Sequence, residues 1–110
     1  MAEMYRISVS LSANKFSIKE IVYNCAETKS KTMYMLSREN ENEVKRFIKK
    51  SELMDIKSKI NQSPTLIAYY TTCLPEQKDK AIKMLTGKIA KTLSEFKQKI
   101  NVMDELLRNG

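Results

Sequence analysis

The 110-residue chain has no histidine and no tryptophan. Without histidine it lacks the commonest general base, the usual partner of a nucleophilic serine or cysteine, and the commonest metal ligand. Glycine is almost as scarce. Gly87 and Gly110 are the only two, so neither the dinucleotide fingerprint nor a Walker loop can be built. Cys25 and Cys73 stand far apart with no CxxC and no local ligand cluster, which argues against zinc. Two cysteines also make no disulfide framework. No apolar run approaches the ~18 residues of a membrane span, and MAEMYRISVS contains no apolar signal-peptide core. These absences lead us to expect a cytoplasmic protein with reduced thiols, no membrane contact, no metal, no cofactor and no enzymatic activity.

The remaining candidates for chemistry are few. ENENE (39–43) offers acidic and amide oxygens, but glutamates at alternate positions match no calcium loop. A solvated helix start is the expectation there. Serine and lysine are abundant, yet no spacing singles out a Ser–Lys dyad. Cys73 ends a strand before a helix, where a thiol pKa can fall. The commoner role for such a residue, a small buried apolar group, is expected.

Twenty Lys and Arg face thirteen Asp and Glu, a net charge of +7. The excess is spread along the chain, with no basic arm or tail. A diffuse excess favours solubility strongly and anionic partners weakly. The length fits one domain, 1–110, with a hydrophobic content of 42% that excludes a disordered tail.

Periodicity divides that domain in two. In YRISVSLS (5–12), Ile7, Val9 and Leu11 alternate with Arg6, Ser8 and Ser10, the pattern of a strand with one buried and one outward face. Ala13-Asn14 suits a tight turn. KFSIKEIVYNC (15–25) continues as a second strand with Phe16, Ile18 and Glu20 on one face, AETKSK (26–31) turns, and TMYML (32–36) forms a third. The expectation is an antiparallel meander. TLIAYYTTC (65–73), rich in β-branched and aromatic residues, is the clearest strand. The stretch 43–60 is ambiguous. Asn40 with Glu43 resembles a capping box leading into Val44, Phe47 and Ile48. Met54, Ile56, Ser58 and Ile60, however, alternate with Asp55, Lys57 and Lys59 at strand period. A helix or strand at 43–50 and a strand at about 53–60 are expected.

From Pro75 the period changes. Ile82, Leu85, Ile89, Leu93, Phe96, Ile100, Met103 and Leu107 recur at steps of three and four, one stripe down a helix. The fold class is therefore α+β: a small antiparallel sheet or partly open barrel over 4–73 and a C-terminal amphipathic helix over 75–108. Such a helix is about 50 Å long, whereas a compact domain of this size has a radius of gyration of only about 13 Å. Either the helix breaks near Gly87 and folds back, or its second half meets another chain. The second is expected, with Leu93, Phe96, Ile100, Met103 and Leu107 as the self-association face of a homodimer or higher oligomer.

Binding is the chemistry left. KRFIKK (45–50) gathers Lys45, Arg46, Lys49 and Lys50 around Phe47 and Ile48, a composition that can grip phosphates. It is equally the composition of an ordinary solvated face. Tyr69 and Tyr70 point to opposite faces of one strand. One belongs to the core, and the other, Tyr70 by our choice, can stack a base. Lys88, Lys91 and Arg108 add positive charge along the helix.

The run EIVYNCAETKSKTMYML, then RFIKKSEL, then AYYTTCLPEQKDKAIKML and a long amphipathic helix resembles small uncharacterised proteins of phages and mobile elements in low-GC Gram-positive bacteria. The resemblance implies an anti-defence role in host cytoplasm. Proteins of that kind either sequester immune signalling nucleotides or bind a host defence protein directly. The basic charge favours an anionic ligand such as a nucleotide. A nucleic-acid-binding regulator and a protein–protein adaptor remain alternatives.

Overall fold

The structure, a computed structural model, describes residues 2–37 and 46–110. Strands β1 (Ala2–Ser12), β2 (Phe16–Glu27) and β3 (Met33–Ser37) form the expected meander. The β1–β2 turn is held by Ser12, whose Oγ accepts from the backbone N–H groups of Asn14 and Lys15 at 3.2 and 3.1 Å. β4 (Arg46–Lys49) adds to β3, and β5 (Leu66–Cys73) adds to the other side of β1, giving the antiparallel order β4-β3-β2-β1-β5. The sheet curls into a half-barrel. Asn40, Glu43 and Lys45, and with them the start of the 43–60 stretch, lie outside the described residues.

The alternating pattern at 53–60 does not make a strand. After β4 comes a single 3-10 turn, Lys50–Glu52, and Met54 adopts a left-handed φ of 67° that ends any extended run. What the segment does is cover the open edge of β5. Met54 N–H donates to the Thr72 carbonyl at 2.9 Å, and Lys57 exchanges two bonds with Tyr70 at 2.8 and 2.9 Å. The Gln62 side-chain amide takes both backbone groups of Ala68, each at 2.8 Å. An irregular chain thus satisfies the edge groups that a sixth strand would have paired, and the sheet has no bare edge there.

Ile7 and Val9 of β1 and Ile67 and Cys73 of β5 face helix α1 (Lys78–Asn109), which a 3-10 turn at Pro75–Gln77 introduces. Ala81, Leu85 and Ile89 complete this core. Tyr69 belongs to the same face. The Thr92 hydroxyl donates to the Lys88 carbonyl at 2.9 Å, so in the 2.7 Å Tyr69–Thr92 contact the tyrosine donates. A second cluster, Met4, Tyr23, Cys25, Leu36 and Ile48, lies on the concave side.

The helix does not break. It runs straight through Gly87, which excludes the fold-back alternative. A Cβ at Gly87 would meet nothing within 4 Å, so Gly87→Ala is expected to stabilise the protein by about 0.5–1 kcal/mol in urea denaturation. No gain would mean that the helix is not populated through this point. The continuous rod makes the molecule long, 63 × 27 × 24 Å with a radius of gyration of 17.9 Å. No helix among the described residues is long and apolar enough to cross a membrane.

Both cysteines are buried and free. Burial pushes the thiols of Cys25 and Cys73 up. In the unfolded chain they titrate near pH 9.0, so above that pH the unfolded state loses protons that the native state keeps. The contribution of these two thiols to native stability is therefore constant below this pH and declines above it. Lys50 and Lys78, raised by their bonds to Glu27 and Glu20, act in the same sense above 10.5. Chemical denaturation across this range should show the decline, with a shallower slope in the Cys25→Ala/Cys73→Ala variant. A flat profile would contradict the burial.

Candidate ligand site on the concave face of the sheet

The polar residues of β1 point away from the helix, but not into open solvent. Curling of the sheet turns them into a concavity. Register sets Arg6 opposite Ile21 on one side and Thr72 on the other, and Ser8 opposite Tyr70. Arg6 and Tyr70 are thus diagonal neighbours on one face, within reach of long side chains. The Arg6 guanidinium carbon sits 4.1 Å from the Tyr70 ring centroid, a cation–π stack.

Three further elements converge on that pair. Arg46 reaches in from β4. Lys59 comes from the segment that covers the β5 edge, with Nζ 5.5 Å from the Tyr70 ring. Tyr23 and Ile21 of β2 form the floor. Together with Ser8, these residues line a cavity of about 340 Å³. A smaller hollow of about 180 Å³ continues from it past Lys57, Glu52 and Thr72. Glu52 is engaged by Lys57 at 2.9 Å. Among the described residues, no carboxylate is bonded to Arg6, Arg46 or Lys59.

Like charges in close quarters perturb one another. The Lys59 ammonium is pushed below its ordinary pKa, first by Arg6, then by desolvation, then by Arg46. Repulsion of this kind disfavours the charged form, and a bound anion would relieve it.

No family model, no curated protein and no solved structure matches the chain.

The residues selected from the sequence are divided among several places. Arg46 and Tyr70 meet in the concavity. Alternation along β4 sends Phe47 and Lys49 to the opposite face from Arg46 and Ile48. Lys50 pairs with Glu27 at 2.7 Å and lies 5.0 Å from the Tyr34 ring. Lys88 sits over Tyr69, 5.7 Å from its ring, on the helix side of the sheet. Lys91 is exposed on the helix, and Arg108 pairs with Asp104 at 3.0 Å near its far end. Lys45 lies outside the described residues. Leu93 and Phe96 pack against the sheet core, while Ile100, Met103 and Leu107 are exposed.

Arg6, Lys59, Lys57 and Tyr23 were missed. Arg6 reads as an outward polar residue of a two-sided strand, and no local pattern says that its outward face curls around a ligand-sized space. Among the described residues, no group of three His, Cys, Asp or Glu side chains can hold a metal ion.

Proposed function

We propose that the concavity binds a phosphate-bearing ligand with a planar ring, a nucleotide, and that the chain is a non-catalytic binding protein. One observation carries the reading: Arg6 stacks on Tyr70 beside Arg46 and Lys59 at a cavity of about 340 Å³. This volume falls within the ~300–1,000 Å³ range of small-molecule sites. Guanidinium groups take phosphate oxygens bidentately, the tyrosine ring offers a face for a base, and Ser8 supplies a hydroxyl for sugar or phosphate. With the resemblance to phage and mobile-element proteins, this supports a role in sequestering a signalling nucleotide in the host cytoplasm to counter bacterial defence.

Native mass spectrometry of gently purified protein, followed by calorimetric titration with mononucleotides, cyclic dinucleotides and inorganic phosphate, tests the reading. Nucleotides should bind more tightly than phosphate alone. A small ligand engages few phosphates, so its affinity should change little between about 50 and 200 mM salt, whereas a nucleic acid held through many phosphates would lose orders of magnitude. A steep loss would transfer the site to single-stranded nucleic acid. Absence of both co-purified and added nucleotide would remove the proposal and leave a protein–protein adaptor of a host defence protein as the reading to pursue.

A further inference from the structure

Among the described residues, nothing covers the second half of α1. Ala81, Leu85, Ile89 and Thr92 are buried on the sheet, Leu93 and Phe96 are partly covered, and every residue from Lys97 onward is exposed. Ile100 is 49% exposed, Met103 68% and Leu107 81%. This length carries an apolar seam with nothing against it among the described residues.

We infer that the seam is the interface for a second copy of this chain, running antiparallel, with Ile100 of each copy facing Met103 of the other. The inference is independent of the ligand site. Three features of the chain select this occupant.

The first is self-complementarity. Steps of three and four give a seam of the coiled-coil kind. When two such helices run in opposite directions, the register that sets Ile100 against Met103 also sets Phe96 against Leu107. About a twofold axis each contact occurs twice, as an isologous interface requires.

The second is charge. Lys97 and Asp104 lie one heptad apart on the same flank of the seam. In this register Lys97 of one copy approaches Asp104 of the other, on both sides of the axis. On the opposite flank, Leu106, 68% exposed, comes under the aliphatic stem of Lys99 from the other copy.

The third is room. The sheet sits on the seam side of the helix as far as Phe96. Parallel pairing would place two sheets at the same level, between the two helices. Antiparallel pairing uses only the uncovered length and leaves the sheets at opposite ends. It also brings Leu107 of the second copy to Phe96, where the helix leaves the sheet. Phe96 packs on the same core as Leu11, and the cross-strand partner of Leu11, Phe16, is 49% exposed there. Phe16 thus adds an exposed apolar residue on the helix-facing side of the sheet.

Sedimentation equilibrium of the full chain over a concentration series reads the state directly. The expected mass is twice the 12.8 kDa of the chain. Ile100→Glu/Met103→Glu should return it to a single chain while the β-sheet circular dichroism persists. Lys97→Glu should weaken the dimer about tenfold, and Lys97→Glu/Asp104→Lys should restore it. In a background with Cys25→Ala and Cys73→Ala, an equimolar mixture of Phe96→Cys and Leu107→Cys chains should form a disulfide between copies faster than either alone. Wild-type protein that stays monomeric up to millimolar concentration overturns the inference. A dimer unaffected by Ile100→Glu/Met103→Glu, or a failure of the charge swap to restore what Lys97→Glu removes, overturns it equally.

Discussion

Leu85→Ala is expected to lower the free energy of unfolding by about 3 kcal/mol, within the ~2–5 kcal/mol range for deleting most of a buried leucine. Leu85 is fully buried, at 0% exposure, between helix and sheet. Its neighbours in the cluster are Ile7 and Val9 of β1, Ile67 of β5, and Ala81 and Ile89 on its own helix. The loss has two parts. The transfer free energy that the removed groups gained on burial is lost, and strands on one side and a continuous helix on the other limit collapse of the cavity. A domain of this size has about 5–15 kcal/mol in all, so the urea midpoint should move far. Lys91→Ala on the exposed flank of the helix, off the seam, provides the comparison, because it removes almost no buried area. A Leu85→Ala cost under about 1 kcal/mol would mean that the helix is not seated on the sheet as described.

Arg6→Glu is expected to weaken nucleotide binding at least ~100-fold. A charge-assisted hydrogen bond contributes about 1.5–3 kcal/mol, and reversal adds repulsion of the phosphate while removing the stack on Tyr70. Arg6 is partly buried on a central strand, so its stem also packs. An unfolding curve must therefore accompany the titration. Arg108→Glu supplies the control. It changes net charge by the same amount, at the end of the helix remote from the concavity. If the site acts through local contacts, Arg108→Glu should leave affinity within about twofold at moderate salt, where screening beyond ~8–10 Å is strong. Equal losses from both variants would show that the diffuse positive field, not the concavity, attracts the ligand. Tyr70→Ala should discriminate further, reducing affinity for nucleotides more than for inorganic phosphate, because only the former have a ring to stack.

Several elements could be read from the chain because they depend on local period alone. Ile7 and Val9 alternate with Arg6 and Ser8, and β1 follows. Tyr69 and Tyr70 sit on opposite faces of β5 because adjacent strand residues must. The stripe from Ile82 to Leu107 is helical by its steps, and its length against a small domain already implied that part of it would lie uncovered. Gly87 did not interrupt it, because a glycine off the seam costs the helix about 1 kcal/mol but removes no side chain from the packed face.

Other features needed the tertiary structure. Met54, Ile56, Ser58 and Ile60 carry a strand period, yet the segment has one bridge and a left-handed residue. The free edge of β5 could be satisfied by backbone at Met54 and Lys57 and by a side chain at Gln62, so no regular ladder was required. KRFIKK looked like one basic cluster, but β4 is a strand and divides it between two faces. The candidate site depends most on this level. Arg6, Tyr70, Arg46 and Lys59 come from β1, β5, β4 and an edge segment. Their meeting depends on the register between β1 and β5 and on the curl of the sheet, both set by pairings distant in sequence. A single chain position encodes which face a residue occupies. Which faces then close on one another is decided by the sum of long-range contacts.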